Sequence, residues 1–285
     1  MSRRTTKAPN LPFIRKALSI AGSDPSGGAG IQADLKVFAL LGVYGMAVPT
    51  SLTAQNTAGV EEIFGVPPRF LEKQLAVLLA DLTPDAVKIG MLWDEKHLPV
   101  IAEALNGAGK PALVVDPILK SGTGTPLFPE KGIKPLKRLL FPLATIITPN
   151  VPEVQALTGV AVDGIESMKE AADALLETGA RAVLIKGGHL PPGKKGQPAK
   201  IMDVLFHEEG FEVFESDRIT GGPFHGTGCV LSAAIAACLA RGESLSAAVG
   251  SARQFLDRAI AAARPVGKGR VPLNLFREPE SSSKS

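Results

Sequence analysis

The fold turns on one stretch: Ala17-Leu18-Ser19-Ile20-Ala21, then Gly22-Ser23-Asp24-Pro25-Ser26-Gly27-Gly28-Ala29-Gly30, then Ile31-Gln32-Ala33-Asp34-Leu35-Lys36. The first run is short and apolar, as a buried strand requires. The second is too rich in Gly, Ser and Pro to continue it. From Ile31 to Leu41, apolar side chains at 31, 35, 38 and 41 share one helical face, and Gly42 stops the helix. Strand, glycine loop and helix in succession open a βα unit. Asp34, one turn into the helix, either faces the loop as an acceptor for a small polar ligand or sits in solvent.

Outward from this unit the pattern repeats. Strand-like runs lie at Ala47 to Leu52, Asp85 to Ile89, Ala112 to Val115, Thr145 to Thr148 and Ala182 to Ile185, with a further short one at Val60 to Phe64. Amphipathic stretches separate them: Pro68 to Ala80, Glu95 to Leu105, Ile133 to Leu140, Pro152 to Leu157 and Ser167 to Thr178. Such alternation predicts an α/β fold with a central, mostly parallel sheet covered on both faces. Ile201 to Phe206 and Phe211 to Phe214, joined by His207-Glu208-Glu209-Gly210, predict an antiparallel edge hairpin. Two helices, Gly226 to Ala240 and Ser244 to Ala263, close the chain. No repeat or long linker divides it, so residues 17–275 read as one domain between flexible termini, 1–16 and 276–285.

Composition bounds the function. The 285 residues, 45% hydrophobic and 21% charged, are those of an ordinary globular protein. Val37 to Val60 and Ile219 to Ala240 carry no charged residue at all, yet Pro49, Gln55, Asn56, several Ser and Thr, Gly-rich turns and His225 keep them from reading as membrane spans. Aromatics are only 5% and the basic residues are scattered under a net charge of +3, which argues against a nucleic-acid surface. Met1 to Lys16 has basic residues but no apolar core, so it does not read as a secretory signal. Cys229 and Cys238 fall on opposite faces of one predicted helix, about 13 Å apart along its axis, too far for a disulfide. A reducing, cytoplasmic compartment is the expectation.

Chemistry concentrates in loops after strands. His225-Gly226-Thr227-Gly228-Cys229 leads straight into a helix of small residues, so its backbone amides can turn toward an anion, and the helix dipole is expected to lower the Cys229 pKa. Thr148-Pro149-Asn150-Val151-Pro152-Glu153 sets an amide and a carboxylate three apart, suited to a phosphate or a magnesium shell; Glu153 is equally a capping residue. Lys186-Gly187-Gly188-His189 offers a cation beside permissive backbone, and Asp116 ends another strand. Gly188 to Lys195 nearly matches a phosphate-binding Walker loop, but Lys195 replaces the magnesium-binding Ser or Thr and no helix follows, so it reads as an exposed basic loop. Gln55 can donate and accept at once, which suits an amino-substituted heteroaromatic ring, and Met91 either walls such a ring or belongs to the core. In open α/β sheets, loops at the carboxyl ends of strands converge on one ligand.

The opening stretch from Ala21 to Lys36 resembles, almost letter for letter, the first motif of the hydroxymethylpyrimidine/phosphomethylpyrimidine kinases of thiamine biosynthesis. Thr53-Ala54-Gln55-Asn56-Thr57, Lys88-Ile89-Gly90-Met91-Leu92, Ile147-Thr148-Pro149-Asn150, Lys186-Gly187-Gly188-His189 and His225-Gly226-Thr227-Gly228-Cys229 follow in the family's order, over about Ala17 to Ala263. The resemblance implies a ribokinase-like three-layer α/β/α sandwich. It implies an enzyme that uses ATP and Mg²⁺ to phosphorylate the hydroxymethyl group of a small aminopyrimidine and then its monophosphate. By matching motif, Gln55, Asp34, Met91 and Ile118 would bind the pyrimidine. Asn150, Lys186 and Thr227 would serve ATP, and Glu153 the metal. Gly226, Thr227 and Gly228 would form an anion hole beside Cys229, which acts as a base or only orients substrate. The family resemblance also implies a homodimer, while the composition points to no nucleic acid and no membrane partner.

Two segments depart from the family pattern. The loop Asp116 to Gly122 is shorter than its commonest version, and Gly267-Lys268-Gly269-Arg270-Val271-Pro272 follows the usual ending only loosely. These bear on the pocket wall and on the second phosphorylation. Two alternatives stand beside the first reading: a pyridoxine/pyridoxal kinase of the same fold, and a non-catalytic pyrimidine-binding protein.

Overall fold

The computed structural model describes residues 14–189, 200–219 and 222–276. The basic loop expected before Lys195 lies, from Leu190 on, outside these residues, as do most of the two termini. The chain runs β1 (Lys16–Ser23), α1 (Gly30–Leu40), β2 (Tyr44–Gln55), β3 (Val60–Gly65), α2 (Pro68–Leu79), β4 (Ala86–Ile89), α3 (His97–Gly107), β5 (Ala112–Val115) and α4 (Ile133–Leu139). It continues through β6 (Ile146–Ile147), α5 (Val151–Thr158), α6 (Ile165–Leu176), β7 (Ala182–Ile185), β8 (Lys200–His207), β9 (Gly210–Asp217), β10 (Phe224–His225), α7 (Thr227–Ala240), α8 (Leu245–Ala261) and β11 (Val271–Pro272).

Nine strands form one sheet in the order β3-β2-β1-β4-β5-β6-β7-β8-β9. The stretch from β2 to β7 is parallel, while β3 at one edge and the β8–β9 hairpin at the other are antiparallel. Parallel strands are covered on both faces, which explains why β4 and β7 are buried at every position. Val87 and Ile89 pack with Leu71, Leu98, Ile101 and Leu175 on one face; Ala17, Ala86 and Val114 pack with α1, α7 and α8 on the other. The result is the expected α/β/α sandwich with its antiparallel edge hairpin.

Two features differ from the pattern in the sequence. β2 extends to Gln55, through the polar Thr53 and Gln55, because β3 pairs with it antiparallel and takes up its backbone groups. β6 shrinks to Ile146–Ile147, since Pro149 and the start of α5 follow at once. α7 is apolar nearly all the way round and buried along almost its whole length; its Ala, Ser and Cys side chains let it lie close against β1, β4 and β5. Among the described residues no helix is long and apolar enough to cross a membrane.

The order places β2 on one side of β1 and β4 on the other, so the connections leave β1 in opposite directions. That reversal opens a crevice at the carboxyl ends of the strands. Gln55, Asp116, Asn150, Lys186 and the Gly226 turn line that crevice.

Candidate active site

At the end of β1 the chain turns through the glycine loop, and Asp24 organises it. One oxygen accepts from Ser26 N at 2.9 Å and Ser26 Oγ at 2.7 Å; the other accepts from Ala29 N at 2.9 Å and lies 2.8 Å from His225 Nε2. Burial raises the Asp24 pKa, but the His225 and Ser26 hydrogen bonds outweigh it and leave the carboxyl below its ordinary value. The loop thereby locks onto the residue preceding Gly226-Thr227-Gly228. Gly226 has a φ of 85°, and a Cβ there would collide with the Gly28 carbonyl, so only glycine fits.

The larger cavity, about 510 Å³, lies above this junction, walled by Gln55, Met91, Ile118, His225 and the amides from Gly226 to Cys229. Gln55 is half-buried, its side-chain nitrogen 3.4 Å from His225 Nε2 and its oxygen 3.2 Å from Thr53 Oγ1. Met91 packs against Gly22 and Ser51, and its carbonyl accepts from Thr50 Oγ1 at 2.7 Å. Of the four residues expected around the pyrimidine, three therefore line one cavity.

Asp34 does not. It is fully buried beneath the cavity floor, with Lys88 Nζ at 2.8 Å and 3.0 Å from its two oxygens and Ser19 Oγ donating at 2.5 Å. Three hydrogen bonds hold the carboxylate from within and none of its surface faces the cavity, so it does not reach a ligand there. Burial pushes Asp34 up and works against the Lys88 charge. With both oxygens on one ammonium, however, Asp34 holds Lys88 protonated, and the pair is ionic. Lys88 reaches the cavity from below. Its place in a wholly buried strand was the signal: a lysine in an apolar run needs a buried partner, and a helical Asp was available.

A second correction concerns Cys229. The helix dipole was expected to lower its pKa, but burial drives it to about 11, and the nearby Asp34 and Asp116 push the same way against Lys88. Desolvation outweighs the dipole because the thiol lies inside the first turn, 9% exposed, rather than at the helix mouth.

Lys186, Asp116 and Glu153 make the charged centre. Lys186 Nζ is 2.7 Å from Asp116 Oδ1, which also accepts from Thr148 Oγ1 at 3.1 Å, while Ser232 Oγ donates to the other oxygen at 3.2 Å. A Cβ on Gly228 would sit 3.2 Å from Lys186 Nζ, so the ammonium rests against the start of α7. Burial works against that charge, but Asp116 and then Glu153 outweigh it and hold Lys186 above the ordinary lysine range. Asn150 and Glu153 form a capping box on α5: Glu153 N donates to Asn150 Oδ1 at 2.9 Å, and Asn150 N donates to Glu153 Oε2 at 2.8 Å. Burial raises Glu153 to about 7, relieved by Lys186 and aggravated by Asp116. Asp203, not anticipated from the sequence, fixes the turn after Lys186: Gly187 N donates to its Oδ1 at 2.9 Å, and Arg253 Nη1 holds its other oxygen at 2.7 Å. Asn150, Lys186, Thr227 and Gly228 also line a second cavity of about 350 Å³, so the two hollows share this charged wall.

The family model described as phosphomethylpyrimidine kinase matches residues 24–274. The chain belongs to this family. It is 46% identical to a hydroxymethylpyrimidine/phosphomethylpyrimidine kinase of Rhizobium meliloti, over 91% of this chain and 96% of that one. It is 40% identical to the one of Bacillus subtilis, over 92% and 95%. Identity to a thiamine biosynthesis bifunctional protein of Geobacter sulfurreducens is also 46%, over 92% of this chain but 53% of that longer protein. Among solved structures, a phosphomethylpyrimidine kinase from Clostridium difficile superposes with a TM-score of 0.75 at 39% identity, covering 86% of this chain and 99% of that one. A pyridoxal kinase from Staphylococcus aureus in complex with pyridoxal gives 0.83 at 33%, covering 93% and 94%. Like the rest of the phosphomethylpyrimidine kinase family, this chain is a phosphotransferase of ribokinase-like fold that uses ATP.

Proposed function

We propose that the chain phosphorylates the hydroxymethyl group of 4-amino-5-hydroxymethyl-2-methylpyrimidine and then its monophosphate, as a step of thiamine diphosphate biosynthesis. One observation carries the reading: the two cavities meet along a wall of Asn150, Lys186, Thr227 and Gly228. In this reading the acceptor occupies the larger hollow and the nucleotide the smaller, and a phosphoryl group passes between them beside Lys186 and the α7 amides. Phosphoryl transfer needs alignment and stabilisation of spread negative charge more than covalent chemistry, and a cation at a helix N-terminus supplies that.

Gln55 presents a donor and an acceptor side by side, the complement of an amino group next to a ring nitrogen, while Met91 and Ile118 wall the ring. Asp34 acts indirectly by holding Lys88 under the floor. The donor chemistry fits magnesium: Glu153 and Asp116 are hard oxygen ligands, and a cation beside them would favour the Glu153 carboxylate that burial, and then the Asp116 charge, disfavour. Mg²⁺ would neutralise the nucleotide phosphates there. No group of three or more His, Cys, Asp or Glu side chains placed to hold a metal ion occurs among the described residues. Residues 17–275 are read as one kinase domain, supported by the family match over 24–274. A cytoplasmic homodimer is read from the buried free cysteines and the family's habit.

A pyridoxine/pyridoxal kinase is the second reading, favoured by the TM-score of 0.83 with the Staphylococcus aureus enzyme. ADP release should be compared on hydroxymethylpyrimidine, its monophosphate and pyridoxine. The expected result is a kcat/KM on the pyrimidine at least about tenfold above that on pyridoxine, a difference of about 1.4 kcal/mol in transition-state binding. Preference for pyridoxine would reverse the assignment. Pyrimidine binding with no ADP release would leave a non-catalytic binding protein.

A further inference from the structure

Arg270 stands in the segment that departs from the family pattern, and the fold fastens it at the mouth of the site. Its backbone N–H donates to the Thr57 carbonyl at 2.8 Å, Gly269 N donates to Thr57 Oγ1 at 3.1 Å, and Val271 N donates to the Pro223 carbonyl at 3.1 Å. A Cβ on Gly269 would collide with Thr57, so the strap is pressed onto the β2–β3 turn just beyond Gln55. On the opposite side, a Cβ on Gly122 would collide with Arg270 Nη1, so the guanidinium lies against the loop after β5. Its buried Nε has no hydrogen-bond partner among the described residues.

Charge makes this placement matter. Lys186 and Arg270 are the two cationic side chains that line both cavities among the described residues. Lys186 is compensated by Asp116 at 2.7 Å, whereas no carboxylate lies within 4.0 Å of Arg270 among the described residues. Of the cations that line one cavity, Lys88 and Arg253 are likewise paired, with Asp34 and Asp203, while Lys120 at the larger cavity is an exposed side chain. Arg270 thus brings a positive charge that its surroundings do not offset.

Its position favours the acceptor side. Gly122 lines only the larger cavity, and Thr57 lies two residues beyond Gln55, which lines that cavity and not the smaller one. We propose that Arg270 is a specificity-determining residue for the second phosphorylation: its guanidinium binds the phosphate of the pyrimidine monophosphate when that compound is the acceptor. A neutral hydroxymethyl acceptor gains nothing from an extra cation, whereas a phosphomonoester gains a charge-assisted, bidentate partner that suits arginine geometry. The donor phosphates have Lys186 and the α7 amides.

This inference rests on the function proposed above, and the test separates the two. In the full-length enzyme, kcat/KM is measured for Arg270→Ala, Arg270→Gln and Arg270→Lys on the alcohol and on its monophosphate, together with the KM for ATP. Calorimetry measures monophosphate binding to nucleotide-free protein. The expected result for the Ala and Gln variants is a fall of about thirtyfold or more on the monophosphate, matched by weaker binding, with the alcohol reaction within about threefold of wild type and KM for ATP unchanged. Lys should restore part of the loss. Equal losses on both acceptors, a raised KM for ATP, or no change on either would overturn the assignment, and equal losses with lowered melting temperature would mark Arg270 as structural. If the wild-type enzyme turned over neither pyrimidine, the functional reading itself would fall.

Discussion

Asp34 and Cys229 show how burial decides what a side chain can do. A motif match assigns Asp34 to the ligand, but its carboxylate is fully occupied by Lys88 and Ser19. Asp34→Ala is therefore expected to cost about 3–5 kcal/mol in a denaturant titration, because it strands the Lys88 ammonium in a dry interior. If the variant kept its stability and lost only substrate affinity, the direct contact would be restored. Cys229 presents the complementary case. At a pKa of about 11 the thiol carries its proton throughout the working range, so a thiolate base would make the rate climb about tenfold per pH unit from pH 7 to 9. A transition state that asks little of a base predicts instead a flat profile and a loss in kcat of less than about tenfold for Cys229→Ala. A base would cost 10²-fold or more by the same measurement.

The active-site elements owe their precision to contacts between segments far apart in the chain. Strand-loop-helix alternation was legible because parallel strands buried on both faces must be short apolar runs, and β1, β4, β5 and β7 are such runs. The full length of β2 was not, since Thr53 and Gln55 enter the sheet only through pairing with β3. The loops bearing Gln55, Asn150 and Lys186 were readable as candidate site loops from their position after strands, and the Gly226 loop from its glycines at a helix start. Asp203 and Arg253 were not, because their role is a hydrogen bond to the backbone after Lys186, which no local spacing encodes. Gly226 is the sharpest case of interlocking. A left-handed φ and the Gly28 carbonyl both exclude a side chain, so Gly226→Ala must move the start of α7 away from the β1–α1 loop. The expected outcome is a stability loss of about 1–3 kcal/mol in urea. In steady-state kinetics kcat should fall about 10²-fold as the amides leave their position. Stability loss with normal kcat would show that those amides do not face the transferring group.

Across the whole molecule, the apolar layers and the charges divide the work. The two cores lie on the faces of the sheet, and the buried ion pairs Asp34–Lys88, Asp116–Lys186 and Asp203–Arg253 gather around the site and its floor. Leaving charges out of Val37 to Val60 and Ile219 to Ala240 matches this division, because Gln55 and the α7 amides line the cavity from those stretches without adding carboxylates that would repel phosphate. The chain is closed where the first loop meets the last motif, by Asp24 and His225, 201 positions apart. That closure has a predictable pH signature. Asp24 titrates below its ordinary 3.8 in the folded chain, so the folded state favours the carboxylate. Its contribution is fully present above that value and is lost as the pH falls through the lower folded value. Asp24→Asn should accordingly lower stability by about 1–3 kcal/mol at pH 7, the worth of charge-assisted bonds to His225, Ser26 and Ala29. The gap between variant and wild type should close as the pH falls below 3.8 and through the lower folded value at which the wild-type carboxyl takes up its own proton. Urea midpoints for the two proteins from pH 7 down through that value measure that gap. A difference that stays constant over the range would mean that Asp24 holds the loop by shape rather than by charge, and the closure would then be steric, through Gly28 and Gly226.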